Sequence, residues 1–210
     1  MRPPYDITGL ILAGGRSRRM GRDKTELTLG GRTLTEITIE HLKPFCRELI
    51  VVTRRPTDFL DHDCKIVRDL DPGQGPLGGL ITGLFYAHYK WCLTLGCDLP
   101  FLKPAVLELI ADKTLTAKAG ARALVPRTSD GWQPLVAAYA RECLKPARRF
   151  LEGGERKLDR LAQGGVVWEA IAEEEIRALD PDLSSFINLN TPEELAKARA
   201  LYGDGESFIS

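Results

Sequence analysis

The chain has 210 residues, long enough to bury one full α/β core and short for two, so a single domain over residues 1–210 is expected. Its 29 basic and 29 acidic residues cancel, which argues against a general nucleic-acid-binding or membrane-surface role and leaves any positive field to be local. Met1–Asp6 lacks the apolar stretch of a secretory leader and nothing approaches the roughly 18 apolar residues of a membrane span, so the expected setting is cytoplasmic, without membrane or nucleic-acid partners.

The first element is a short apolar run, Leu10-Ile11-Leu12, that ends in Ala13-Gly14-Gly15. A strand is expected here, leaving into a loop whose missing side chains let a ligand approach the backbone. Arg16, Arg18, Arg19, Arg22 and Lys24 follow. Backbone N–H groups and cations beside the carboxyl end of a strand suit a polyphosphate. Neither familiar phosphate loop is present. Asp23 stands before Lys24 where a P-loop needs glycine, and Gly14-Gly15-Arg16-Ser17 does not supply the dinucleotide fingerprint.

Leu27-Thr28-Leu29 reads as a short extended piece closed by Gly30-Gly31, and Thr33 is placed to cap a helix over Leu34–Leu42, stopped by Pro44. Leu49–Thr53 and Lys65–Val67 read as the second and third strands. Arg54 and Arg55 suit either a phosphate contact or an exposed loop. The stretch from Asp71 to Gly79 is too rich in glycine and proline to be regular, and a helix is expected from about Leu80 to Tyr89. It is a second place where backbone can meet a ligand, or else a flexible crossover.

Trp91–Leu95 is nearly all apolar and is expected to be a central strand covered on both faces. Asp98 stands just past it, between Gly96 and Pro100, where a carboxylate can hold a hard cation or simply make a turn. Pro104 opens a helix to about Asp112, and Leu124-Val125 and Leu135–Tyr139 read as strands around Gly131-Trp132-Gln133-Pro134. Arg141–Leu151 and Glu155–Leu161 are expected to be helical, with Arg148, Arg149, Arg156, Lys157 and Arg160 forming a solvated face or a phosphate site.

Val166–Trp168 and Phe186–Leu189 read as the late strands. The second would point Asn188 and Asn190 the same way. Thr191, Pro192 and Glu194 form a capping box opening a last helix, and residues 203–210 read as a frayed tail. The five cysteines are scattered, with no CxxC, and the three histidines stand apart, so neither a disulfide framework nor a zinc site is indicated.

Four segments, LAGGRSRRMGRDK, RDLDPGQGPLGG, GCDLP and NLNTPEEL, lie in order along the chain and resemble the signatures of the molybdenum cofactor guanylyltransferase family. The resemblance runs in register from about Thr8 to Leu201. It implies a three-layer α/β sandwich with a mostly parallel sheet, the Rossmann-like nucleotide-diphospho-sugar transferase fold. It further implies a magnesium-dependent enzyme that joins GMP from GTP to molybdopterin-bound molybdenum and releases pyrophosphate. By the same resemblance, Leu12, Ala13, Gly14, Gly15, Lys24, Thr53, Asp69, Gly75, Gly79 and Asp98 contact GTP. Thr53 falls where the family can carry asparagine. Asp98 carries the magnesium, Lys24 and Arg19 act with it on the phosphates, and Asn188 and Asn190 serve the pterin. The GWQP segment resembles the family's stretch over the second substrate, and cofactor-insertion proteins are possible partners. The alternatives are a cytidylyltransferase of the same cofactor or another small nucleotidyltransferase, and a nucleotide-binding module without catalysis.

Overall fold

The computed structural model describes residues 5–13, 27–56, 63–189 and 191–202. Gly14, Gly15, Arg16, Arg18, Arg19, Arg22, Lys24, Asn190 and the tail 203–210 lie outside the described residues.

In chain order the strands are β1 (Tyr5–Ala13), β2 (Thr28–Leu29), β3 (Arg32–Thr33), β4 (Cys46–Thr53), β5 (Lys65–Arg68), β6 (Trp91–Gly96), β7 (Ala123–Thr128), β8 (Gly131–Trp132), β9 (Val136–Ala140) and β10 (Trp168–Ile171). The helices are α1 (Leu34–Leu42), α2 (Gly75–Tyr86), α3 (Pro104–Thr116), α4 (Leu144–Glu152), α5 (Glu173–Arg177) and α6 (Pro192–Tyr202). The main sheet runs β10-β7-β9-β6-β1-β4-β5, with β8 paired to β7. Among the described strands of this sheet, β9, between β6 and β7, and the short β8 run antiparallel to their neighbours.

Period-two alternation in β1 explains the layers. Ile7 and Ile11 face one core shared with Ile39 and Leu42 of α1, Val106 and Ile110 of α3 and Ile176 of α5. Leu10 faces the other, with Leu77, Leu80, Ile81 and Leu84 of α2 and Ala147 of α4. All six residues of β6 are buried, as expected for a central strand. Gly83 allows the close approach of α2 to the sheet, since a Cβ there would lie 2.2 Å from Leu10 Cδ1.

Where α1 begins, the sequence-based expectation holds in detail. Thr33 Oγ1 accepts from the Glu36 amide, and the Glu36 carboxylate accepts from the Thr33 amide, a reciprocal capping box. The same device opens α6 through Thr191 and Glu194. Helix α2 starts five residues earlier than expected. Pro76 fits its first turn, and burial of the glycine-containing face against the sheet outweighs the low helix propensity of glycine.

Two expected elements are absent. Phe186–Leu189 is not a strand: a 3-10 helix spans Ser184–Phe186 and irregular backbone follows it. The carboxylate of Asp180 accepts from Ser184 Oγ and the Ser185 amide, and this local capture closes a turn where a ladder was expected. The argument that Asn188 and Asn190 share a strand face therefore does not hold. Likewise Glu155–Leu161 is not one helix, because Glu155 accepts from the amides of Arg156 and Lys157 and a 3-10 helix begins only at Leu158. The late strand expected at Val166–Trp168 lies two residues further on, at Trp168–Ile171.

Candidate active site

The parallel strands β1, β4, β5, β6, β7 and β10 all end at one edge of the sheet, and a crevice outside such an edge is where open α/β sheets take ligands. Register brings the ends together. Ala13 pairs with Thr53, Thr53 with Arg68, and Leu12 with Gly96. The sequence-predicted positions Leu12, Ala13, Thr53, Asp69 and Asp98 thus gather from four segments onto neighbouring strand ends. Ala13, the last described residue before position 27, lies in the middle of this edge.

Asp98 sits in the turn after β6, half-buried. A Cβ on Gly96 would lie 2.8 Å from Asp98 Oδ1, so the glycine leaves the space that the carboxylate takes up. The Asp98 carbonyl accepts from the Leu189 amide, which ties the segment after the last 3-10 helix to the tip of β6. Cys97 Sγ donates to the Leu12 carbonyl across the same gap. Among the described residues no group of three or more His, Cys, Asp and Glu is placed to hold a metal. One hard carboxylate does fit magnesium, which keeps several waters and is commonly shared between one or two carboxylates and substrate phosphates.

Asp69 has work inside the fold. Its Oδ1 accepts from the Asp71 amide and from Thr82 Oγ1, while Thr82 Oγ1 also accepts from the Leu70 amide. This fastens the loop before α2 to the body of that helix. The Asp69 amide donates to the Thr53 carbonyl, and the buried Thr53 hydroxyl accepts from the Arg55 amide, so Thr53 shapes the turn after β4. Gly75, with φ of +67°, opens α2 in a conformation that glycine tolerates. Gly79 packs on Leu12, 3.3 Å from its Cδ2 to where a Cβ would be.

Further along the edge lies a cavity of about 390 Å³, lined among others by Ser129, Asp130, Gln133, Phe186 and Asn188. Its walls are fastened by residues that the motifs do not mark. Glu173 of α5 accepts from the Ser129 amide on the β7–β8 turn and from Arg177 Nε at 2.6 Å. Arg177 also donates to the Pro181 carbonyl at 2.6 Å on the opposite wall. Behind that wall Asp180, fully buried, is paired with Lys103 Nζ at 2.9 Å as well as with Ser184 and Ser185. Burial alone would raise the Asp180 pKa, but hydrogen bonds from the Ser185 amide, Lys103 and Ser184 outweigh it and hold the carboxyl below its usual range. The one sequence signal was the Glu173–Arg177 spacing of four on a short helix.

Asn188 lines this cavity, its Nδ2 donating to the Phe186 carbonyl at 3.3 Å. All five cysteines are free. Burial pushes the thiols of Cys46 and Cys92 far up and that of Cys143 to about 12, so these three are neutral fillers and not nucleophiles. No helix among the described residues is long and apolar enough to cross a membrane.

Comparison with known proteins gives the family and the fold. Residues 9–166 match the model of the MobA-like NTP transferase domain. A molybdenum cofactor guanylyltransferase of Desulfosudis oleivorans is 37% identical, with 92% of this chain and 95% of the relative covered. A probable molybdenum cofactor guanylyltransferase of Chloroflexus aggregans is 36% identical, over 94% and 95%. Among solved structures, the molybdopterin-guanine dinucleotide biosynthesis protein A of Archaeoglobus fulgidus superposes with a TM-score of 0.79 at 31% identity, covering 92% of this chain and 97% of that one.

Proposed function

Since the chain belongs to the MobA-like NTP transferase family, we propose that it is a molybdenum cofactor guanylyltransferase working through the strand-end site described above. The reaction joins GMP from GTP to the terminal phosphate of molybdopterin in the molybdenum cofactor. A phosphate oxygen of the pterin forms a bond to the α-phosphorus of GTP, the bond from that phosphorus to the bridging oxygen breaks, and pyrophosphate leaves. The observation that carries this reading is the gathering of Ala13, Thr53, Asp69 and Asp98 at adjacent ends of one parallel sheet.

Two anions must meet, so the site has to orient them and offset their charge. In this proposal Leu12, Ala13, Gly14 and Gly15 present main chain to the nucleotide, with Gly75 and Gly79 at the start of α2 and Thr53 and Asp69 shaping the loops around it. Lys24 and Arg19 neutralise phosphate charge. A cation about 4 Å from a phosphate charge, at an effective dielectric near 20, is worth roughly 4 kcal/mol. A third of that expressed only in the transition state is about tenfold in rate. Asp98 would hold magnesium, which when bound supplies Lewis-acid stabilisation of the phosphate oxygens. Asn188 and Asn190 stand on the pterin side.

The same proposal reads the chain as one catalytic domain working in the cytoplasm, where its free thiols stay reduced. Transfer to cofactor-insertion proteins would complete its task. The test is pyrophosphate release with magnesium and each nucleoside triphosphate, with and without molybdopterin. Release that needs both GTP and molybdopterin is expected. Release with CTP and not GTP would make the protein a cytidylyltransferase, and tight nucleotide binding without release would make it a carrier.

A further inference from the structure

The fold treats the two carboxylate oxygens of Asp69 differently. Oδ1 accepts from the Asp71 amide at 3.1 Å and from Thr82 Oγ1 at 3.2 Å. A carboxylate oxygen has two lone-pair sites, so Oδ1 is filled. Oδ2 has no hydrogen-bond partner among the described residues, and it is not a buried atom, which leaves it open at the surface of a half-buried residue.

The direction of these bonds follows from the groups that make them. The Leu70 amide can only donate, and it donates to Thr82 Oγ1 at 3.1 Å, so the hydroxyl accepts there and turns its own proton to Asp69. Thr82 is fully buried on α2, a helix packed on the sheet through Leu80, Ile81 and Leu84. The Asp69 amide donates to the Thr53 carbonyl at the end of β4. The main chain of Asp69 is thus tied to β4 and its carboxylate to α2.

Position limits what the open oxygen can meet. Asp69 follows β5 and Asp98 follows β6, and the order β6-β1-β4-β5 puts three strand spacings, about 14 Å, between those strands. A triphosphate gathered at Asp98 therefore extends its nucleoside toward β5. A carboxylate repels phosphate oxygens, and what it takes from a nucleoside is an N–H or O–H donor.

We propose that Thr82 is a positioning residue for the nucleotide: by filling Oδ1 it aims Oδ2 of Asp69 at one donor of the nucleoside, the exocyclic amine of the base or a ribose hydroxyl. Thr82 itself touches no substrate. Without its hydroxyl the carboxylate is free to turn, and the aimed acceptor is lost. The inference rests on the guanylyltransferase reading above.

The experiment is calorimetric titration of the full-length protein with three ligands: GTP, inosine triphosphate, which lacks the exocyclic amine, and dideoxy-GTP, which lacks both ribose hydroxyls. Wild type is expected to bind one of the two analogues about tenfold more weakly than GTP, the scale of a hydrogen bond to a charged group. Thr82→Val, which keeps the branched shape, should weaken GTP about tenfold and close that gap, with kcat for pyrophosphate release within about twofold of wild type. Thr82→Ser, which restores the hydroxyl, should bring back both the affinity and the gap. Closure for inosine triphosphate assigns the contact to the base, and closure for dideoxy-GTP assigns it to the ribose. Thr82→Ala gives the same readings should the valine variant not fold. Equal wild-type affinity for all three ligands, a gap that persists without the hydroxyl, or a serine variant that behaves like valine would overturn the proposal. A lower melting temperature with affinities unchanged would overturn it too, leaving Thr82 a purely structural residue. Any of these beside wild-type pyrophosphate release from GTP and molybdopterin removes the role of Thr82 and leaves the guanylyltransferase reading intact. Absence of release with GTP removes that reading, whatever the titration gives.

Discussion

The two sides of the carboxyl edge are made by different means. Toward β1, β4 and β5 the chain is positioned by main chain and small residues. Gly83 lets α2 lie against Leu10, Gly79 lies on Leu12, and Thr82 and Asp69 lock the intervening loop. Toward β7 and β10 the walls are held by side chains, with Glu173 reaching the Ser129 amide and Asp180 pairing with Lys103, while Arg177 ties Glu173 to the Pro181 carbonyl. A nucleotide has a phosphate chain that backbone amides can cradle, so close approach of the backbone matters most on the first side.

Asp98 stands where the two sides meet, and its replacement is expected to have the largest effect. Asp98→Ala should lower magnesium-dependent pyrophosphate release about a thousandfold, the range for losing a metal ligand or a preorganised charge at a phosphoryl centre. Turnover within tenfold of wild type would break the link between the two sides.

Next in size is the wall of the second side. Asp180→Ala leaves the Ser185 amide, Ser184 and Lys103 without their shared acceptor in a fully buried place, and about 3 kcal/mol of stability should go. Denaturant unfolding measures this, and KM for molybdopterin should rise while GTP affinity holds. On the first side the corresponding change is Gly83→Ala. Alanine gains about 1 kcal/mol of helix propensity, but its Cβ would lie 2.2 Å from Leu10 Cδ1, and overpacking costs up to about 3 kcal/mol. A net loss of about 2 kcal/mol is expected, with GTP affinity falling and pterin affinity spared. The reverse pattern in either variant would show that the two sides are not separately built.

The same difference explains what was legible in the sequence. The first side is written in contiguous segments, because a strand, its glycine-bearing turn and the next helix are neighbours in the chain. Leu12, Asp69, Gly75, Gly79 and Asp98 are therefore assigned to the site by motif resemblance alone, each motif being a contiguous run. The caps at Thr33 and Thr191 were readable for the same reason, since a capping box spans four residues. The second side draws Lys103, Ser129 and the stretch Glu173–Pro181 from separate parts of the chain, and the Glu173–Arg177 spacing is the one local pattern among them. Alternation puts Asn188 on a strand, and the capture of Ser184 and Ser185 by Asp180, which alternation does not show, gives a 3-10 turn there instead.

The smallest expected effect comes from the opposite edge of the sheet and shows whether the contrast belongs to the carboxyl edge alone. There Glu48 Oε2 accepts from Thr8 Oγ1 at 2.6 Å and from the His88 amide at 3.1 Å, and Oε1 meets His88 Nδ1 at 2.6 Å. Burial alone would raise the Glu48 pKa, but the hydrogen bonds from Thr8 and His88 outweigh it and hold the carboxyl below its ordinary 4.5. A carboxylate with a depressed native pKa stabilises the fold above its unfolded pKa, and that contribution is lost as pH falls through the native one. Thr8→Val removes one hydrogen bond to the charged form, so it should cost about 1.5 kcal/mol at pH 7. The difference from wild type should shrink once the pH drops below the unfolded value of 4.5 and Glu48 takes up its proton. Because the network touches neither strand-end site, KM for GTP and for molybdopterin should both match wild type. A shift in either KM at constant stability would mean that the amino edge is coupled through β1 to the residues at its other end.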